Sequence, residues 1–550
     1  MSAWTLLSRG IAGAFILMIL APAAFAQEDS MTLEQRIEHT EQLIAAAREL
    51  REQFLSDPQR PAYHFTAPAG WMNDINGSIV YKGRYHIFYQ HHPDAAYWQW
   101  MQWGHASSTD LIHWVHHPIA LTPTAGGPDR DGCFSGGAVM HDGVPTLVYH
   151  GVPDGTCLAT STDDLLIHWT KHPTNPVLRV PQPGQPGYGV YQVYDPCAWQ
   201  RGDDWYLLCG GRAQEGGDTG YLFRSKDMTS WEYLRPFYQS RREWTDPYED
   251  CAVPTFLPLG DRHILLFVSH KLGAQYYIGR YEGDEFIPET HGRMNFPGGQ
   301  FIAPIGMIDD EGRCLLFGWV CEARRNTSVR AAGWAGVMTL PRILSLADDG
   351  TLRIQPVPEI ERLRLDEQSL SDVVLEPAVD RVLDTVSGDC LEILAEIEPD
   401  TASRVGLRVR RSPDAAEQTT IVYDPAAGTL SVDTSRSSLG GDVVQPWPCP
   451  WGVMYDNPLE PRVLPFHDAP VPIEDVRVQP APLQLVPGEP LRLHVFLDRS
   501  ILEVFANDRQ CITQRIYPSR ADSLGVAAFA IGGEAAVRSI RAWRMGPAGE

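Results

Sequence analysis

Three places in the chain put carboxylates beside residues suited to sugar chemistry. Asp74 sits in Trp71-Met72-Asn73-Asp74, Asp195 in Tyr194-Asp195-Pro196, and Glu249 with Asp250 in Tyr248-Glu249-Asp250-Cys251. Clustered carboxylates are what glycosidic cleavage requires. One is ionised, to attack or to stabilise an oxocarbenium-like centre, and one is protonated, to assist the departing oxygen. Like charges confined together push their pKa values apart and so divide the roles. Trp71, Trp98, Trp100 and Trp103 offer rings that stack on sugar faces, and Asn73, Gln90 and Ser135 offer hydrogen bonds to hydroxyls. Taken singly these residues say little, because an Asp beside Pro is usually a turn residue and a tryptophan usually belongs to a core. Their shared place in a repeat is what raises them.

That repeat is an apolar strand, a polar turn with Gly, and a second apolar strand, occurring five times. It spans Ile79–Tyr89, Ala138–Tyr149, Ala198–Leu208, Phe256–Phe267 and Met307–Phe317. The turn glycines Gly83, Gly143, Gly202, Gly260 and Gly312 are 60, 59, 58 and 52 residues apart. A period of that size, with several strands per unit, predicts a β-propeller whose blades are antiparallel sheets. A second echo has the same period: Ser108-x-Asp110 before Trp114, Ser161-x-Asp163 before Trp169 and Ser225-x-Asp227 before Trp231. It reads as a structural turn with a packed indole. The acidic sites precede the turn glycines of units one, three and four by 9, 7 and 11 residues. Innermost strands of a propeller meet around its axis, so this register predicts one shared pocket.

Around the repeat the chain divides further. Residues 1–26 read as a signal peptide: Arg9 is the only charge before Glu28, Ile11–Leu20 is apolar, and Ala24-Phe25-Ala26 is a small-residue cleavage site. An uncleaved anchor is the competing reading, which the short apolar run disfavours. A secreted or periplasmic protein is therefore expected. Residues 27–58 contain apolar positions at helical spacing between Thr32 and Leu55, with Thr32 and Gln35 as a capping box. The propeller is assigned to 59–354, a linker with a short helical piece (Glu359–Leu365) to 355–372, and a second domain to 373–550. In the last, Leu491, Leu493, Val495 and Leu497 alternate with Arg492, His494 and Phe496, the pattern of an antiparallel β-sandwich. Gln445–Pro470, rich in Pro and Trp, reads as a long loop. The fold class is thus all-β, a five-bladed β-propeller followed by a β-sandwich, with a short N-terminal helix.

Composition narrows the partners. The formal net charge is −24, or −25 without the leader, so phosphate backbones and anionic lipid surfaces are repelled. No nucleic acid or membrane partner is expected, and a neutral sugar fits. The ten cysteines are dispersed with no Cys-x-x-Cys pair, so no metal site is indicated. Most lie in apolar strand-like runs and read as core, with room for one or two disulfides.

At this point the chain resembles a known family. Trp71-Met72-Asn73-Asp74-Ile75-Asn76-Gly77 looks like the signature of glycoside hydrolase family 32, the invertases, inulinases and levanases. The likeness continues through Tyr89-Gln90, Trp98-x-x-Met101-x-Trp103-Gly104-His105-Ala106, Ser108-x-Asp110-Leu111-x-His113-Trp114 and Phe134-Ser135-Gly136. It resumes at Gly318-Trp319, at the run from Gly333 to Arg342, and at Asp498-Arg499-Ser500-x-x-Glu503-Val504-Phe505. The resemblance implies a retaining mechanism without metal or organic cofactor, acting on sucrose or fructans. By position, Asp74 would attack the anomeric C2 of a fructosyl unit, Glu249 would be the acid/base, and Asp195 would stabilise the transition state. Asn73, Gln90, Trp98, Trp103, Ser135, Tyr194, Asp250 and Trp319 would bind substrate.

Three departures from the family pattern stand out. Ile75 replaces the usual Pro after the nucleophile, and Tyr194 replaces the usual Arg before the stabilising Asp. The acid/base motif, normally Glu-Cys-Pro, is stretched to Glu249-Asp250-Cys251-Ala252-Val253-Pro254, where Glu249 is favoured over Asp250 and Asp250 would raise its pKa by repulsion. A fructosyltransferase would use the same residues. An inverting arabinan- or xylan-active hydrolase on a similar propeller is more distant. A non-catalytic carbohydrate-binding module is disfavoured by three mutually repelling acids. Chain-length preference and oligomeric state are not legible.

Overall fold

The computed structural model describes residues 33–448, 456–465 and 467–549. The signal peptide expected at 1–26 and the Thr32 end of the capping box lie outside them. A helix, Leu33–Glu52, lies against the outermost strand of the first blade, Trp114–Leu121.

Five antiparallel sheets follow, each beginning with an inner strand: Gly70–Tyr81, Gly132–His141, Cys197–Arg201, Ala252–Leu259 and Phe301–Ile308. These five strands touch in succession, first to second and on to fifth and back to first, so they ring one axis. Each leads into its second strand through the glycine turn read from the repeat, and all five glycines have φ between 61° and 79°. Lys82-Gly83 and Asp142-Gly143 both take positive φ at two residues, the type I′ geometry that matches strand twist. The ring is closed by Trp334–Ala335, which pairs in parallel with Gly70 and Trp71 at the start of blade one. The Ser-x-Asp echo is structural: each Ser hydroxyl donates to its Asp, and Trp114, Trp169 and Trp231 donate from the indole to the backbone O of Leu111, Leu166 and Met228.

Of the stretch read as a linker, 355–372, the structure leaves little unpaired. A blade-five strand runs to Pro356, a 3-10 turn covers Pro358–Leu363, and Arg364–Leu375 is already a strand of the next domain. There, two six-stranded antiparallel sheets stack over a core including Leu391, Ile393, Val405, Leu407, Val495 and Val504. The alternation at Leu491–Asp498 lies in a central strand of one sheet. Seven of the nine described cysteines are buried, and no disulfide joins two of the described residues.

Candidate active site

The inner strands share a device that turns side chains toward the axis. Pairing skips at the same level in four of them: between Met72 and Ile75, Phe134 and Gly136, Ala252 and Thr255, and Ile302 and Ile305. Such bulges bend a strand and re-aim the residue left over. In blade three the same level is held by Asp195, with φ 44°, ahead of Pro196; Val253 and Ala303 sit at φ 46° and 48° ahead of Pro254 and Pro304. Non-glycine residues at positive φ, before proline, are strained and persist only where the surroundings enforce them.

A cavity of about 250 Å³ opens at this level. Its walls are Asn73, Asp74, Gln90, Trp98, Phe134, Ser135, Asp195, Val253, Val268 and His270, joined by Val463, Leu464 and Pro465 from the C-terminal domain. A larger cavity, about 370 Å³, continues along the axis behind Asp195 and Val253, but apart from Asp195, Asp310 and the Cys197 thiol its walls hold no ionisable side chain among the described residues. The chemistry is therefore at the smaller one.

Asp74 is held from one side. Gln90 Nε2 donates to Ser135 Oγ at 2.5 Å, and Ser135 Oγ donates to Asp74 Oδ2 at 2.6 Å. Oδ1 takes no hydrogen bond among the described residues. Trp71 Nε1 donates to Asn73 Oδ1 at 2.8 Å and fixes that amide beside it. Burial raises the Asp74 pKa, while Ser135, Asn73 and the positive charge of His270 pull it back. Asp195 accepts the Val253 N–H at 3.1 Å, and burial together with the negative charge of Asp74 pushes its pKa up to about 7.

The remaining expectations divide. Asn73, Gln90, Trp98 and Ser135 line the cavity as read. Trp103 does not: it is fully buried, its Nε1 donating to Phe134 O at 3.1 Å, so it supports the wall from behind. Trp319 is likewise buried, edge-on to Trp71 with centroids 5.6 Å apart. Tyr194 and Asp250 are also one layer back, with the Tyr194 hydroxyl 3.4 Å from Asp250 Oδ2.

Glu249 requires the main correction. It is absent from the cavity wall. Arg293 donates to both carboxylate oxygens at 2.8 and 3.0 Å, Gln275 Nε2 donates to Oε2 at 3.0 Å, and the Asp246 N–H donates to Oε1 at 3.2 Å. Its side chain is 1% exposed and faces Arg293 and Gln275, so the carboxyl group does not meet the cavity. The register explains this: seven residues back from Gly260, the spacing of Asp195 from its own turn glycine, lies Val253, and Glu249 precedes the inner strand altogether.

Sequence reasoning missed His270, Phe134 and the Val463–Pro465 wall. His270 directly follows the second strand of blade four, three residues beyond Phe267, the counterpart of Gln90 in that blade's pairing register. Its Nδ1 lies 2.7 Å from Asp250 Oδ2, and its backbone N–H donates to Asp250 Oδ1 at 2.9 Å. Burial disfavours the charged ring, but Asp250, Asp195 and Asp74 outweigh it and raise the pKa to about 9. Among the described residues no group of three or more His, Cys, Asp or Glu is disposed to hold a metal ion.

Comparison with known proteins agrees with this architecture. Residues 64–356 match the model of the glycosyl hydrolases family 32 N-terminal domain, and 359–544 that of the family 32 C-terminal domain. A sucrose-6-phosphate hydrolase of Zymomonas mobilis is 31% identical over 541 residues, covering 91% of this chain and 95% of that protein. A levanase of Bacillus subtilis is 30% identical over 524 residues, covering 88% of this chain and 70% of that protein. The crystal structure of fructan 1-exohydrolase IIa from Cichorium intybus superposes with a TM-score of 0.76 at 25% identity, covering 90% of this chain and 99% of that one. A variant of that enzyme has been solved in complex with 1-kestose.

Proposed function

Because this chain belongs to glycosyl hydrolase family 32, we propose that it cleaves a β-D-fructofuranosyl bond in sucrose or a fructan by a retaining route through a covalent fructosyl-enzyme intermediate. The chain is a glycoside hydrolase, and relatives named for sucrose phosphate, levan and fructan hydrolysis support a fructosyl substrate. In this reading Asp74 Oδ1 attacks the anomeric C2 while Ser135 holds Oδ2 in place. Asp195 balances the charge that develops on the sugar ring. Asn73 and Gln90 bind hydroxyls, and Trp98 and Phe134 provide the apolar walls. At about 250 Å³ the cavity is near the lower end of ligand pockets, roughly 300–1,000 Å³, which suits one sugar ring enclosed with the rest of the substrate outside.

The observation that carries the reading is the carboxylate of Asp74, oriented through one oxygen and without a hydrogen bond from the described residues at the other, sharing a small cavity with Asp195. The test is release of fructose from sucrose and inulin, with the anomer followed by NMR in the first turnovers. Retention is expected, and Asp74→Asn should lose about 10⁴-fold or more in kcat. Net inversion, or full turnover by the variant, would overturn the assignment of Asp74 as nucleophile.

A further inference from the structure

Cleavage of a fructoside needs a proton on the departing oxygen, and the carboxylates around the cavity do not readily provide it. Glu249 is locked to Arg293 outside the cavity. Counted back from Pro254, the place of the glutamate in a Glu-Cys-Pro motif is taken by Ala252, whose methyl has no proton to give. Asp250 is fully buried beneath the imidazole it holds. In the reading above Asp74 is the nucleophile and Asp195, held by the Val253 N–H, balances the charge on the sugar ring, so both carboxyl groups already have roles that require them ionised. Among the described residues, the remaining ionisable side chain on the cavity wall is His270.

We propose that His270, oriented by Asp250, is the general acid/base of this enzyme. The assignment rests on the fructosidase reading above. The two side chains are placed for it: Asp250 has no exposed side-chain surface, whereas His270 keeps 32% of its own, so the ring is the member of the pair that meets the cavity. With Nδ1 engaged by Asp250, Nε2 carries the proton offered to substrate. As Asp74 Oδ1 bonds to C2, the bond from C2 to the departing oxygen breaks and that oxygen takes the proton from Nε2. The neutral imidazole then accepts a proton from water as the water oxygen bonds to C2 and the bond from C2 to Asp74 breaks. Imidazolium and carboxylate are restored and nothing else is consumed. Among the described residues, the charged groups that act on the ring are Asp250 ahead of the blade-four inner strand, Asp195 from blade three and Asp74 from blade one. The three carboxylates favour the protonated ring and hold its pKa near 9, so it enters the first step charged at neutral pH. Asp250 is a positioning residue, acting through His270 without touching substrate.

The experiment uses the full enzyme on sucrose and inulin. His270→Gln should lower kcat by about 10²–10⁴-fold with a smaller change in KM, and should remove the alkaline limb of the kcat/KM profile. Azide, a nucleophile needing no base, should restore part of the turnover of a fructoside whose leaving group departs without a proton and yield fructosyl azide, which also shows that the variant is folded. Asp250→Asn should move the alkaline limb to lower pH, because the ring loses its counter-charge. Wild-type kcat in His270→Gln, an alkaline limb that survives there, or a rise in KM alone overturns the assignment; the last would mark His270 as a binding group. If the wild-type enzyme releases no fructose, the underlying reading fails instead.

Discussion

Glu249 and Asp250 are adjacent in the chain yet serve different partners. Peptide geometry at the start of blade four sends the first to Arg293 and Gln275 and the second to His270. Breaking a buried ion pair by removing one charge leaves the other uncompensated, at a cost of about 3–5 kcal/mol. Glu249→Gln should therefore lower the melting temperature clearly, while kcat per folded molecule falls far less than in His270→Gln. A loss of chemistry equal to that of His270→Gln, with stability intact, would return Glu249 to the reaction. At the same scale, burial acts on the cavity acids in one direction: it raises both Asp74 and Asp195, the latter to about 7. The positive charge of His270 acts against burial at both, drawing each pKa back down.

At the scale of elements, the bulges matter more than the strands that carry them. A regular inner strand would alternate its side chains between faces, whereas the skipped pairing at Asn73-Asp74 and at Ser135 brings these groups to one mouth. The other decisive element is the segment 456–465 of the C-terminal domain, whose end contributes Val463, Leu464 and Pro465 to the cavity. Tyr248 stacks on His467 just beyond it, with centroids 4.1 Å apart. An apolar wall binds ground state and transition state alike. Val463→Gly with Leu464→Gly should thus raise KM several-fold to about tenfold and change kcat less, as read by steady-state kinetics on sucrose. An unchanged KM would count against this segment as part of the site.

Across the whole molecule, charged groups at the contact between the two domains are buried and closely paired. The Ala62, Tyr63 and His64 backbone N–H groups converge on the Asp498 carboxylate at 2.6–2.8 Å, and Arg342 meets Glu503 at 3.2 Å. Glu322 at the end of the propeller accepts from Arg515 at 3.0 Å and from Tyr517 and Arg324. Asp498 and Glu503, two residues of the family-like motif, thus act as a clamp rather than in catalysis. Burial opposes the charge on Glu322, but Arg515 and Arg324 lower its pKa from 4.5 to about 2. A depressed carboxylate stabilises the fold above its unfolded pKa and loses that contribution as pH falls toward the folded value. Unfolding free energy should accordingly drop between about pH 4.5 and 2, and Glu322→Gln should flatten that slope while lowering stability at neutral pH. An acid slope unchanged in the variant would show that other groups carry it.

Much of this was legible in the amino-acid order. The glycine period announced five blades because a two-residue hairpin turn demands positive φ wherever it occurs. Alternation announced the sandwich because strand side chains point to opposite faces. Asp74, Asn73, Gln90, Trp98 and Ser135 were found by local motif and repeat register. The rest depended on contacts between distant segments. Only the fold showed that Glu249 turns to Arg293, that Trp103 and Trp319 stand behind the wall, and that His270 and Val463–Pro465 reach the cavity. Motifs report spacing along a chain, but a side chain's partner is decided by bulges, strand ends and loops from another domain meeting in space.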